Sequence, residues 1–95
     1  MLLLPATITM RESRDTLRLL SQALQEEKEG EVVVDASPLQ QFDTSALAVL
    51  LECRRLAQAF GRPFSVRNAP DQLGALATLY GVGELLFTPA PAASA

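Results

Sequence analysis

The sequence predicts an α/β fold, a single small domain in which helices pack on a mixed sheet of about four strands. Predicted strands and helices alternate along the chain, and the short connections between them favour right-handed crossovers. Residues 32–34 are all valine, which is typical of a central strand covered on both faces. The length of 95 residues lies close to the commonest domain size. We therefore expect one domain at residues 1–88 and a flexible Pro- and Ala-rich tail at residues 89–95.

The first two predicted elements are an edge strand and a helix. Residues 2–10 favour a strand, and Pro5 restricts it to an edge because proline has no amide hydrogen to donate. Thr9 and Glu12 have the spacing of a capping box, so helix 1 is predicted to begin between Thr9 and Ser13. Gly30 provides its left-handed end. The buried stripe of this helix is predicted to consist of Leu17, Leu20 and Leu24.

The second helix follows the central strand and is predicted from about Thr44 to Phe60, ending at Gly61. With about 100° of rotation per residue, one face of this helix is wide and apolar enough to pack on the sheet. That face is predicted to consist of Ala46, Val49, Leu50, Cys53, Leu56, Ala57 and Phe60. Leu47 and Leu51 lie about 100° to 140° round from its first residue, so the wheel places them outside the core face.

The last part of the domain is predicted to add a strand and a third helix. Residues 62–67 alternate between polar and apolar, which predicts a strand with Arg62 on its polar side. Pro70 is expected in the first turn of helix 3, and Gly81 ends that helix. Its buried stripe is predicted to consist of Leu73, Leu76, Ala77 and Tyr80. Residues 82–87 are compatible with either a final helical turn or a small strand.

Composition excludes several classes of function. The net charge of −3 comes from interspersed acidic and basic residues, without a basic stripe that could follow nucleic acid. The chain has no histidine and a single cysteine, which excludes His-dependent triads, zinc sites and an internal disulfide. The apolar residues 1–4 stop at Pro5, too early for a signal peptide or a membrane span. We expect a cytoplasmic protein without cofactor, metal or membrane insertion.

Candidate catalytic groups have simpler structural interpretations. Asp35 and Asp43 are the one carboxylate pair to consider for metal binding or acid/base chemistry, but no third ligand or general base accompanies them. Asp43 is expected to cap helix 2. No glycine lies between Gly30 and Gly61, so a phosphate-binding loop is not expected there. Cys53 is expected to be a small buried hydrophobic residue rather than a reactive thiol.

The start of helix 2 is the predicted functional surface. Thr44 and Ser45 are hydroxyl residues at the helix start, where the simplest role is capping. Leu47 and Leu51 lie beside them on the wheel and away from the core face. Apolar anchors together with polar groups suit a protein docking surface. The alternative is that a neighbouring helix covers both leucines.

Two segments carry a resemblance to a known family. Residues 32–37, Val-Val-Val-Asp-Ala-Ser, and residues 42–47, Phe-Asp-Thr-Ser-Ala-Leu, resemble the signature of STAS domains. This fold is shared by anti-sigma-factor antagonists and the cytoplasmic tails of sulfate transporters. The resemblance extends to about Phe87, and residues 4–9 are similar to the short bacterial members. The chain differs in an N-terminus shorter than the first hairpin of many members, and in Ala46, where the antagonists usually carry glycine.

The resemblance implies two alternative roles for the hydroxyls. In the antagonists the serine at the position of Ser45 is phosphorylated by a serine-kinase anti-sigma factor. In the STAS subunit of the bacterial Mla phospholipid transporter, the threonine at the position of Thr44 is needed to bind the ABC ATPase. Asp43-Thr44 and the leucine-rich helix are more similar to the Mla subunit.

The favoured branch implies a non-enzymatic accessory subunit. It would bind and regulate the ATPase of an ABC phospholipid transport complex that maintains outer-membrane lipid asymmetry. It would be cytoplasmic, and peripheral to the inner membrane through a complex that includes a permease. The implied contact residues are Thr44, Ser45, Leu47 and Leu51, with Arg54 and Arg55 at the rim. The alternative is an anti-sigma-factor antagonist with Ser45 as phosphate acceptor.

Overall fold

The computed structural model describes residues 2–26 and 30–87, in which strands and helices alternate. The predicted tail at residues 89–95 lies outside these ranges. In chain order the elements are β1 (Leu2–Leu3), β2 (Thr7–Ile8), α1 (Ser13–Glu26), β3 (Val32–Asp35), β4 (Gln41–Phe42), α2 (Thr44–Ala59), β5 (Phe64–Arg67), α3 (Asp71–Leu79) and α4 (Gly83–Phe87). The α/β class is confirmed, and the last described segment forms a helical turn rather than a strand.

The strands form two separate parallel ladders. One has the order β1-β3-β5, and the other pairs β2 with β4. In the larger ladder Val34 of β3 lies opposite Leu2 on one side and Val66 on the other. The central position of β3 and the edge position of β1 are therefore confirmed. The expected mixed sheet is replaced by parallel pairs because a helical crossover separates each strand of the larger ladder from the next.

Coverage of the central strand is less complete than the valine run predicts. Val32 and Val34 are buried in the core, whereas Val33 between them is partly exposed and lies outside it. Consecutive side chains of a strand point to opposite faces. One face of β3 thus packs on the core, and the other is only partly covered.

The helical wheel wrongly predicts burial for two residues at the ends of helices. Phe60 and Tyr80 were expected on core faces, but both are exposed. Each is the C-terminal cap residue of its helix, and each is followed by a glycine with positive φ, Gly61 at 68° and Gly81 at 75°. The chain leaves helical geometry at these residues, so the rotation of 100° per residue ceases to give their direction.

Most of the residues predicted to be buried in helix α1 are buried. Leu20 and Leu24 are buried as expected, while Thr16 is buried and Leu17 only partly so. The amide of Thr9 donates to Glu12 Oε1 at 2.9 Å, as the capping-box spacing predicts. None of the described helices is both long and apolar enough to span a bilayer.

Arg62 is buried instead of lying on a polar strand face. It precedes β5, so strand alternation does not set its direction. Its Nε donates to the carbonyl oxygen of Gly30 at 2.8 Å, and its Nη1 donates to the carbonyl oxygen of Leu24 at 3.0 Å. The carbonyl of Leu24 in the last turn of α1 and the carbonyl of Gly30 before β3 thus both accept from a side chain that precedes β5.

Candidate functional site

Asp43 organises the start of α2. Its backbone is extended, with φ −129° and ψ −162°, and its Oδ1 accepts a hydrogen bond from the amide of Ser45 at 2.8 Å. This is the N-cap that the sequence predicts. The other carboxylate oxygen accepts a hydrogen bond from the amide of Met10 at 3.4 Å. Asp43 therefore joins the turn before α1 to the first turn of α2.

The same contacts hold Asp43 in its charged form. The amide of Ser45 has the largest effect and lowers the pKa of Asp43; burial opposes it, and the Ser45 hydroxyl and the amide of Met10 add smaller effects that also lower the pKa. A carboxylate at this end of a helix also meets the positive pole of the helix dipole.

The two hydroxyls at the helix start have different surroundings. Thr44 is exposed, and its side chain makes no hydrogen bond within the described part of the chain. Ser45 is partly buried, and both its amide and its hydroxyl interact with Asp43. Ser45 therefore takes part in the cap, whereas Thr44 presents its hydroxyl to solvent.

The expected surface leucines are placed differently from the prediction. Leu47 is 4% exposed and belongs to the hydrophobic core, so its placement on an open surface is wrong. Leu51 is partly buried and packs against the same core. Helix α1 packs against α2, which widens the buried part of α2 beyond the face that a sheet alone would cover. A partner could reach Leu51 in part, but not Leu47.

A different set of residues forms the open side of α2, and we call it the α2 stripe. Thr44, Ala48 and Arg55 are exposed, and Leu51 borders them with partial exposure. Their spacings of four, seven and eleven positions place them on one helix face. With a rise of about 1.5 Å per residue, the stripe is about 16 Å long. The side chain of Ala48 is small, so another protein could approach the helix backbone closely there.

Met10 is an exposed apolar residue whose backbone lies close to the start of α2. It is 81% exposed, and the hydrogen bond from its backbone amide to Asp43 holds this residue near the helix start. Sequence reasoning missed this residue because the contact joins positions 33 apart in the chain. The turn between Thr9 and Glu12 was a signal that Met10 would be exposed, although not that it would adjoin α2. Ala48 was recognisable on the wheel, four positions after Thr44.

Comparison with known families agrees with this architecture. The chain matches the family model described as "Mlab, STAS domain" over residues 2–88. The chain belongs to the MlaB family of STAS domains. The resemblance noted at residues 32–37 and 42–47 is thereby confirmed, and membership is consistent with an accessory role. The family name connects this STAS domain with lipid transport by the Mla pathway. A search of curated proteins found no match.

The two arginines expected at the rim of the STAS domain's site point in different directions. Arg55 lies on the α2 stripe, is exposed, and forms an ion pair with Glu52 whose Nε–Oε distances are 3.0 and 3.1 Å. The hydrogen bonds from Arg55 lower the pKa of Glu52. Arg54 is partly buried and lines a depression with Arg62 and Phe64. Of the two, Arg55 is placed to flank a partner on the α2 stripe.

Asp35 of the STAS domain has a structural role at the end of β3. Its Oδ1 accepts hydrogen bonds from the amide of Ser37 at 2.9 Å and from Nδ2 of Asn68 at 3.2 Å. These bonds lower the pKa of Asp35, and the charge of Arg67 does so to a smaller extent. Asn68 has a positive φ of 59°, a conformation that asparagine tolerates better than most residues. In residues 2–26 and 30–87, no group of three His, Cys, Asp or Glu side chains could hold a metal ion.

Cys53 is buried in the core, as its wheel position predicts. Burial, with a smaller contribution from Glu52, raises the pKa of its thiol to about 12. The nucleophilic form of cysteine is the thiolate. At neutral pH this thiol is therefore a packing group.

Proposed function

We propose that this STAS domain is an accessory subunit that docks through the α2 stripe and Met10 on the ATPase of a phospholipid ABC transporter. The observation that carries the proposal is the exposed Thr44 hydroxyl, free of hydrogen bonds within the described chain, at the start of a capped helix in an MlaB-family domain. The complex would include a permease, and the subunit would lie on the cytoplasmic side of the inner membrane. It would contribute to outer-membrane lipid asymmetry.

The surface has the features that such a contact requires. Met10 is an apolar anchor, and burying a methionine side chain contributes about 1.5–3 kcal/mol before ordering costs are subtracted. Ala48 permits close approach, and Thr44 supplies a hydrogen-bonding group that fixes orientation. Leu51 can contribute its accessible part. Leu47 is no longer among the proposed contacts, because it is buried in this domain.

Regulation would follow from binding without any chemistry by the subunit itself. A partner shifts the equilibrium between two states of an ATPase only by the difference in its affinity for them. The α2 stripe lies on a helix whose first turn is held by Asp43 through Ser45 and Met10. Such a surface is already ordered before docking, so little binding energy is lost in ordering it. It is thus suited to act as a rigid clamp on one ATPase state.

Purification from native cells in mild detergent tests this proposal. The wild-type chain should bring down an ABC ATPase and a permease. Thr44→Glu should abolish that recovery, because a carboxylate would be buried in the contact without a partner, while a glutamate at this position is favourable for the helix start. Thr44→Ser keeps the hydroxyl and should retain the partners, as should Ser45→Ala. Equal recovery with Thr44→Glu and Thr44→Ser would contradict the proposal.

The same purification distinguishes the antagonist alternative. Recovery of a serine-kinase anti-sigma factor alone, with phosphate on Ser45, would replace the transporter proposal. A phosphate there would add about −1.5 to −2 charges beside Asp43. Ser45 is partly buried, and its hydroxyl already interacts with that carboxylate, so it is a poor phosphate acceptor. This favours the transporter subunit over the phosphorylated antagonist.

A further inference from the structure

A groove lies between the N-terminal strand segment and the first half of α1, on residues that the proposed function does not use. Its volume is about 370 Å³. Leu3 and Leu19 line it and are 62% and 66% exposed, while Leu4 and Leu20, which also line it, belong to the buried core. Single exposed leucines are ordinary, but two on either side of a concave apolar surface indicate a binding site.

The strand that borders this groove has an open edge. β1 pairs with β3 alone, and the amide of Leu4 donates to the carbonyl oxygen of Asp35 at 3.0 Å. Successive peptide groups of a strand alternate in direction, so the amide and carbonyl of Leu3 point away from β3. No described strand lies on that side. An unpaired strand edge is a template for an extended segment of another chain.

The charged side chains that line the groove favour a partner segment that carries a carboxylate. Two acidic residues line it, but each has a partner: Glu12 accepts hydrogen bonds from Thr9, and Asp15 pairs with Arg18. Arg11 also lines the groove, and it has no ion-pair partner among residues 2–26 and 30–87. The charge of Arg11 acts on the neighbouring Glu12, but the Arg11 guanidinium forms no ion pair with any described residue and is available to an incoming carboxylate, whereas Asp15 is already paired with Arg18.

We propose that this β1 groove binds an extended segment of a partner protein that adds a strand to the edge of β1. One apolar side chain of the segment lies between Leu3 and Leu19, and a carboxylate lies near Arg11. Backbone hydrogen bonds to Leu3 provide affinity, and the side-chain positions provide selectivity. Since no residue of α2 lines the groove, this inference is independent of the proposed function.

A labelled peptide titrated against the full-length chain tests the proposal. The peptide is acetyl-Thr-Val-Thr-Leu-Thr-Glu-amide, and a second peptide carries lysine in place of glutamate. The glutamate peptide should bind saturably, at least about 10-fold more tightly than the lysine peptide. Arg11→Glu should reverse that preference. Hydrogen exchange at the amide of Leu3 should slow when the glutamate peptide is bound.

A matched pair of leucine variants controls for general surface effects. Leu19→Asp should weaken peptide binding about 10-fold or more, because it puts a charge on the apolar wall. Leu79→Asp makes the same change at an exposed leucine of α3 and should leave binding unchanged. Absence of saturable binding to the wild-type chain, or equal effects of the two variants, would overturn the proposal. Saturable binding of dodecanoate that depends on Leu19, without peptide binding, would assign the groove to an acyl chain instead.

Discussion

The guanidinium of Arg62 and the carbonyl oxygen of Leu24 are joined by a hydrogen bond of 3.0 Å, although the residues lie 38 positions apart. A second bond from the same side chain reaches Gly30. Together they connect the last turn of α1 to the chain that enters β5. Since α1 packs against α2, this connection also supports the helix that carries the candidate site.

Removing the Arg62 donors should destabilise the domain without touching the α2 stripe. Arg62→Met keeps much of the side-chain volume but leaves two carbonyl groups without these partners, and should cost about 1–3 kcal/mol of unfolding free energy. Arg62→Lys keeps the charge but not the forked donors, so its loss should be smaller. Urea unfolding measures both. Arg14→Met, at an exposed position of α1, should change stability little, and a loss as large as that of Arg62→Met would contradict this assignment.

The contrast between Arg62 and Asp43 indicates which features could be predicted from the sequence. The Asp43 cap depends on its spacing from Ser45, which is local and visible in the chain. The direction of Arg62 depends on carbonyls of another element, which no local pattern reveals. The central position of β3 was predictable because alternating strands and helices permit few connections, but the parallel direction of every described pair was not, since a mixed sheet was expected. The contact between Met10 and Asp43 could not be predicted, because it joins residues that are far apart in the chain.

Leu47 and Leu51 should differ in their contributions to stability. Leu47→Ala removes a fully packed side chain and should cost about 3 kcal/mol. Leu51→Ala removes a partly exposed one and should cost about 1 kcal/mol. Denaturant unfolding of the two variants gives the comparison, and equal losses would mean that Leu51 is as enclosed as Leu47.

These leucines also explain where the helical wheel stopped being informative. The wheel correctly gave the angle between them and the residues that face the sheet. It could not give the position of α1, whose packing against α2 extends the buried surface. The positions of Thr44 and Ser45 on the helical wheel likewise could not show that their side chains differ in exposure. That difference arises because Asp43 accepts hydrogen bonds from Ser45 and not from Thr44.

Acid should destabilise the domain through its hydrogen-bonded carboxylates. Glu12, Asp35 and Asp43 each have a pKa below the ordinary values of 4.5 for Glu and 3.8 for Asp, chiefly because hydroxyl or amide groups donate to the charged form. The unfolded chain therefore binds protons at higher pH than the folded chain. Stability should be constant above the ordinary values and fall as the pH drops through and below them.

Thermal unfolding between about pH 3 and 7 measures this dependence. Asp43→Asn keeps a capping oxygen but removes one titrating group, so its melting temperature should fall less steeply on acidification. The variant is its own control at neutral pH, where the side-chain oxygen still accepts from Ser45. An acid dependence as steep as that of the wild-type domain would exclude Asp43 as a contributor.

A substitution at Ala48 should distinguish an effect on ATPase binding from an effect on the stability of the domain. Its side chain is exposed on the α2 stripe one turn after Thr44, so Ala48→Arg should leave unfolding free energy within about 0.5 kcal/mol of the wild-type value. A long charged side chain there would hold a docked ATPase away from the helix, and should reduce its recovery by at least about 10-fold. Ala75→Arg makes the same change at an exposed position of α3 and should leave recovery unchanged. If both variants retained the ATPase while remaining folded, the partner would have to contact a face other than the α2 stripe.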